Sequence, residues 1–131
     1  MQHDDKKALA LIRLEHAEQC LKTAKAILGL EDYKSAANRS YYSIFHAMRA
    51  VLAFNGIDNK KHSGIIAEFR RLYIKTGIFD TELSDIITML FKIRNDSDYD
   101  DFYVVNKQKV IEQIENAEFF LNTIKSFVNS R

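Results

Sequence analysis

Arg94 stands where an apolar residue is expected. Leu83, Ile87, Leu90 and Arg94 follow one another at spacings of four, three and four, so a helical apolar seam runs straight into a guanidinium. A guanidinium so placed either grips a phosphate through two parallel N–H donors or pairs with nearby carboxylates, because an unpaired buried charge costs roughly 3–5 kcal/mol. Asp96 and Asp98 are close in sequence and serve the second reading. A second constellation lies upstream, where Arg39, Tyr42, His46 and Arg49 recur at spacings of three, four and three and form one helical stripe. Two readings of it stand side by side. One is a nucleotide- or RNA-contacting face, with phosphate donors and an aromatic ring for stacking. The other is a hydrogen-bonded histidine that merely flanks the core.

Other chemistries find no support in the spacing. Glu15 and His16 are adjacent, so they point to different faces of a helix, and no Glu-x-x-His pair exists for a di-iron bundle. Asp96, Asp98 and Asp100 start like a calcium loop. Its sixth position is Asp101 instead of Gly and its twelfth is Lys107 instead of Glu. Gly56 to Gly64, with Lys60, Lys61 and Ser63, lacks the spacing of a phosphate loop and follows a helix instead of a strand. His3, His16, His46 and His62 are the only histidines, with His3 and His16 expected at the surface. No metal site and no cofactor are expected.

The elements that must position these residues are helices. The 131 residues contain no Pro and four Gly, which disfavours a fold rich in tight turns. A first helix is predicted over residues 5–28, with Ala10, Leu14, Ala17, Leu21, Ala24 and Leu28 on one face and Gly29 as its cap. A second is predicted from about Asp32 to Phe54, carrying Ala37, Tyr41, Phe45, Met48 and Leu52 inward. Ser63 is expected to cap a shorter third helix that Gly77 stops. Asp80 or Thr81 caps a fourth, and a polar segment from Asn95 to Tyr103 follows it. Asn106 opens the last helix, with Val110, Ile114, Ala117, Leu121, Ile124 and Val128 on one face. The expectation is one domain over residues 1–131, an all-α, up-and-down bundle of four to five helices.

Net charge is +1, so bulk charge gives no argument for polyanion binding. The distribution is less even. Residues 56–79 hold five basic and two acidic side chains, whereas residues 80–105 hold two basic and seven acidic, leaving Arg94 among aspartates. The single Cys20 cannot form an internal disulfide and is expected to face inward. No stretch is apolar enough to span a bilayer, and the start, with Asp4, Asp5, Lys6 and Lys7, lacks a secretory pattern. A cytoplasmic protein with no membrane contact is expected.

Three stretches taken together carry a family resemblance. They are Ala37-Asn38-Arg39-Ser40-Tyr41-Tyr42-Ser43-Ile44-Phe45-His46-Ala47, Lys61-His62-Ser63-Gly64 and Phe91-Lys92-Ile93-Arg94-Asn95. In order and spacing the chain resembles the HEPN domain family, closest to its small stand-alone members. The resemblance implies a helical-bundle homodimer, a nucleotidyltransferase partner in a toxin–antitoxin-like pair, and a nucleotide or RNA ligand. In ribonuclease members an Arg followed four to six residues later by a His lines a cleft between two protomers. Arg94 matches that Arg and Asn95 the polar residue after it, but Tyr99 stands four residues on and no His follows His62. A phenol with a pKa near 10 is a poor base at pH 7, whereas a histidine near 6.5 both takes and gives a proton there. The expectation is therefore a binding module with ribonuclease activity weakened or absent. The alternatives are a metal-independent endoribonuclease using Arg94, Asn95 and Tyr99, and a structural dimer without ligand. The dimer contact is expected at the Arg94 end of the fourth helix.

Overall fold

A computed structural model describes residues 2–59 and 61–131, and its regular structure is helical throughout. Lys60 of the Gly56–Gly64 loop lies outside the described residues. The helices are α1 (His3–Gly29), α2 (Tyr33–Leu52), α3 (His62–Phe69), α4 (Thr81–Tyr99) and α5 (Lys107–Asn129). A short 3₁₀ turn, Ala53–Asn55, extends α2, and a π-helical turn, Arg70–Ile74, extends α3. Cross-helix contacts fix the directions. Ser43 Oγ donates to the Ala17 carbonyl at 2.9 Å and Arg13 Nη1 to the Arg49 carbonyl at 3.0 Å, so α1 and α2 are antiparallel. Asn38 meets Asp98 and Tyr42 meets Arg94, so α4 also runs against α2. Lys25 with Glu118 and Glu18 with Lys125 set α5 against α1. The expected up-and-down bundle is the observed one.

α2 is the central helix and packs against the other four. Its small residues Ala36, Ala37, Ser40, Ser43, Ala47 and Ala50 are buried, which lets neighbouring backbones approach, while Tyr41, Ile44, Met48 and Leu52 fill the core between them. Ala10, Leu14, Ala17, Leu21 and Ala24 of α1 bury one face against it, and Val110, Ile114, Ala117, Leu121, Ile124 and Val128 of α5 bury another. Each large apolar side chain so buried stabilises the fold by about 1.5–3 kcal/mol. A separate aromatic cluster closes one end of the bundle: Phe69, Tyr73, Phe79, Phe120 and Phe127 have neighbouring ring centroids 5.1–5.8 Å apart.

Three helix ends differ from expectation. Gly29 remains inside α1, and the left-handed residue that ends it is Glu31 at φ 63°, after Leu30 and Glu31 N–H groups bond back to Ile27 and Leu28. The turn closes two residues later than the glycine because those tightened bonds prolong the helix. Ser63 is the second residue of α3. Lys61 is the flanking residue instead, since its carbonyl accepts from the Gly64 and Ile65 N–H groups at 3.1 and 3.2 Å, and Asn59 Oδ1 in turn accepts from the Lys61 N–H at 2.9 Å. α4 does not stop at Arg94 but continues to Tyr99. Ile93 and Ser97 prolong the buried seam, and the pairs Lys92–Asp96 and Arg94–Asp98, each one turn apart, hold the outer face. Asp32, Asp80 and Asn106 cap α2, α4 and α5 through side-chain oxygens, and Gly77 at φ 81° makes the turn after α3.

No helix of the described residues is long and apolar enough to cross a membrane. Cys20 is partly buried beside Arg39, and burial pushes its thiol up.

Candidate functional site around Arg94 and Tyr42

Because α4 leans on α2 with Ile93 and Ser97 inward, Arg94 is carried to the edge of the core, where its side chain is 14% exposed. Its guanidinium carbon lies 5.5, 5.6 and 5.7 Å from the ring centres of Tyr41, Tyr42 and Tyr99. Nη2 donates to Tyr42 Oη at 3.2 Å and Nη1 to Asn95 Oδ1 at 3.4 Å. Nε is 3.1 Å from Asp98 Oδ2 but misaligned for a hydrogen bond, so the pairing there is ionic. The carboxylate partner anticipated for Arg94 is thus Asp98. Asp96 goes to Lys92 at 2.7 Å.

Asp98 ties this group to α2. Its Oδ2 also accepts from Asn38 Nδ2 at 3.1 Å, and Asn38 Oδ1 accepts from Arg39 Nε at 3.1 Å and Nη2 at 2.8 Å. The Arg39 guanidinium lies over the Tyr42 ring, 4.7 Å from its centre. Two guanidinium groups therefore lie close to one tyrosine ring, each attracted by its π-system, and Arg39 Nη1 is left without a hydrogen-bond partner among the described residues. A surface cleft of about 380 Å³ adjoins it, lined in part by Lys34, Asn38, Arg39 and Asp98, with Ser97, whose buried hydroxyl has no partner among the described residues.

The stripe Arg39, Tyr42, His46 and Arg49 is divided by the structure. Arg39 and Tyr42 join Arg94, whereas Arg49 pairs with Asp58 at 3.5 Å, and Asp58 also reaches the buried Arg13 at 3.5 Å. His46 lies between the two halves, with His16 edge-on at 5.8 Å and Arg49 Nη1 3.4 Å from its Nδ1. Burial first, then the charges of Arg49, His16, Arg39 and His62, push its pKa down from 6.5 to about 4. It is neutral at pH 7. Tyr99, the last residue of α4, is 74% exposed.

A histidine does join the rings around Arg94, though not from α4. His62, the first residue of α3, stacks on Phe45 at 4.1 Å, meets Tyr42 edge-on at 5.4 Å, and places Nδ1 3.1 Å from Tyr41 Oη. Burial and then the Arg94 charge push its pKa down, while burial pushes the Tyr41 phenol up, so the imidazole is neutral and the phenol protonated at pH 7. Sequence reasoning missed His62, Tyr41, Asn38 and Asp98 as site residues. Periodicity marked Tyr41 as core and closeness in sequence marked Asp98 as a charge partner, but no spacing links residues 21 apart on two helices. No group of residues that could hold a metal ion occurs among the described residues.

Comparison with known proteins agrees with this architecture. A UPF0332 protein of Thermotoga maritima is 36% identical over 112 residues, covering 86% of this chain and 85% of that protein. A protein of Methanocaldococcus jannaschii named "Putative toxin MJ0142" is 32% identical over 118 residues, covering 90% of this chain and 80% of the other. Among solved structures, TT1696 from Thermus thermophilus superposes with a TM-score of 0.75 at 20% identity, covering 89% of this chain and 96% of its own. ST0689, described as an archaeal HEPN homologue, superposes with a TM-score of 0.70 at 22% identity, covering 91% and 97%. With the HEPN domain model matching residues 10–127, nearly the whole bundle and every residue of the Arg94 cluster, the chain belongs to the HEPN domain family.

Proposed function

We propose that this chain is a toxin-like HEPN module that binds a nucleotide or single-stranded RNA at the Arg39–Tyr42–Arg94 cluster. The observation that carries this reading is the placement of two guanidinium groups, from α2 and α4, close to Tyr42, 4.7 and 5.6 Å from its ring centre. Phosphate oxygens meet the guanidinium groups, and an unstacked base has the exposed Tyr99 as a stacking partner. The relatives bearing a toxin name support the biological class. Labelled single-stranded RNA tested by fluorescence anisotropy should bind saturably. Arg39→Ala and Arg94→Ala should each weaken binding about ten-fold and flatten the logarithmic salt dependence by roughly 0.7. Equal affinity and equal salt dependence in both variants would sink the reading.

The same reading takes the chain as a homodimer that associates with a nucleotidyltransferase. Tyr99, Phe102 and Val104, at the end of α4 and just after it, are 74%, 94% and 84% exposed, an apolar run that a second copy would cover. Phe102→Asp should then shift sedimentation from dimer to monomer. A wild-type protein that sediments as a monomer at micromolar concentration would remove this part of the proposal. The expectation of weakened ribonuclease activity rested on the lack of a histidine after Arg94. His62 favours the alternative, an active endoribonuclease.

A further inference from the structure

We infer that the cleft where the start of α1 meets the end of α5 is a second ligand site, built for a small aromatic carboxylate. The site stands apart from the Arg94 cluster and does not depend on the RNA-binding reading above.

The cleft measures about 390 Å³, within the size range of small-molecule sites. Its floor is apolar and aromatic. Phe54 follows α2, Leu72 and Tyr73 belong to the π-helical turn, and Phe127 closes in from α5. Tyr73 and Phe54 each meet Phe127 edge-on, with ring centres 5.6 and 6.5 Å apart. Tyr73 Oη donates to Asn55 Oδ1 at 2.6 Å, which satisfies the phenol and leaves Asn55 Nδ2 as a donor without a partner among the described residues. The rim is cationic. His3 and Lys6 stand about one turn apart on α1, and Arg131 comes from just after α5. Lys7 Nζ donates to the Arg131 backbone oxygen at 3.1 Å and holds the two segments together. No Asp or Glu side chain lines the cleft, and neither the Lys6 nor the Arg131 side chain is paired with a carboxylate among the described residues.

These groups select the chemistry of the ligand. Planar groups already settle on the rings: the His3 imidazole stacks on Phe54 with ring centres 5.9 Å apart, and the Arg131 guanidinium carbon lies 4.4 Å from the centre of Phe127. Both residues are exposed, so each presents an outer planar face, on which an aromatic ring stacks better than a saturated one. The donors of Lys6, Arg131 and Asn55 require an acceptor, and a guanidinium fork matches a carboxylate. A dianionic phosphate fits less well, because Asp4 and Asp5 occupy the first turn of α1 and repel a second negative charge. The cleft lies beyond the C-terminal end of α2, whereas Arg39 and Tyr42 are in its first half, and Tyr42 to Leu52 alone is about 15 Å of helix.

The test is calorimetric titration of the whole protein with 2-naphthoate, its saturated decahydro analogue and naphthyl phosphate, with backbone amide NMR shifts to place the site. Naphthoate should bind at one site with a dissociation constant of about 0.1 mM, more tightly than either of the other two, and move the amides of Asn55, Tyr73 and Phe127. Lys6→Ala and Arg131→Ala should each weaken it about five-fold, and Arg131→Lys, which keeps the charge without the planar fork, about three-fold. Circular dichroism melts show whether each variant folds. Arg131→Ala should leave RNA affinity within about two-fold of wild type, since Arg131 is remote from the Arg94 cluster. Absence of saturable naphthoate binding to wild type overturns the inference, as does wild-type affinity in both alanine variants. Equal binding of the decahydro analogue or of naphthyl phosphate overturns the assignment of an aromatic carboxylate. Shifts centred on Asn38 to Tyr42 would put the probe in the Arg94 cluster, which overturns the second site and leaves the RNA-binding reading standing.

Discussion

His46 makes acid stability a test of the site's electrostatics. Its pKa is pushed down from 6.5 to about 4, first by burial and then by Arg49, His16, Arg39 and His62. In the unfolded chain the imidazole takes up a proton near pH 6.5, whereas in the fold it resists until about pH 4. The stability this contributes is therefore present above pH 6.5 and is lost as pH falls through the folded value. Between pH 7 and pH 5 linkage gives a loss of about 1.8 kcal/mol. His46 is only partly buried, and screening by water reduces this to about 1 kcal/mol. For a urea m-value near 2 kcal/mol/M, the unfolding midpoint should drop by about 0.5 M between those pH values. The assay is urea unfolding followed by circular dichroism at both pH values for wild type and His46→Gln. Groups other than His46 cancel in the difference. A His46→Gln midpoint that falls as far as wild type, or an imidazole proton signal from His46 titrating near pH 6.5, would refute the reasoning. Bound RNA should act in the opposite sense, since phosphate beside Arg39 and His46 raises the histidine's pKa and makes binding tighter as pH falls.

Three further outcomes are expected. Asp98→Asn removes the charge that neutralises Arg94, and RNA affinity at low salt should rise about five-fold, corresponding to roughly 1 kcal/mol, in the same anisotropy assay. Gly64→Ala puts a methyl group into the Asn59 side chain that caps the Lys61 N–H, so thermal unfolding should occur about 3–4 °C lower, with a loss of about 1 kcal/mol. Glu31→Gly relieves a left-handed backbone at φ 63°. The gain of about 1–2 kcal/mol is partly offset by unfolded-chain entropy, and the melting temperature should rise by about 2 °C.

The helices were legible in the sequence because each buries one face at regular spacing, as Ala10 to Ala24 and Val110 to Val128 do. Arg94 was legible for the same reason, as a break in a seam. Helix ends were less so. The continuation of α4 depends on Ser97, a polar residue buried by its surroundings, and on ion pairs that need the helix to exist first. Half of the stripe on α2 faces Arg94 and half faces Asp58, a division made by α1 and the 56–59 loop and not by α2's own period. His62 was hidden because its environment comes from Tyr41, Tyr42 and Phe45, three residues of another helix that tertiary packing alone brings to it.

The π-helical turn after α3 makes the chain sensitive to length at one particular place. Its bond from the Lys75 N–H to the Arg70 carbonyl, at 2.8 Å, spans one residue more than an α-helical bond. Adding a single residue between 70 and 73, where the turn already holds one residue more than an α-helical turn, would rotate everything after it by about 100°. Tyr73 would leave the Asn55 side chain, and Phe79 would leave Phe127. Related sequences aligned across this segment should therefore keep its length even where they change its residues, while the polar stretch between α4 and α5 tolerates insertions.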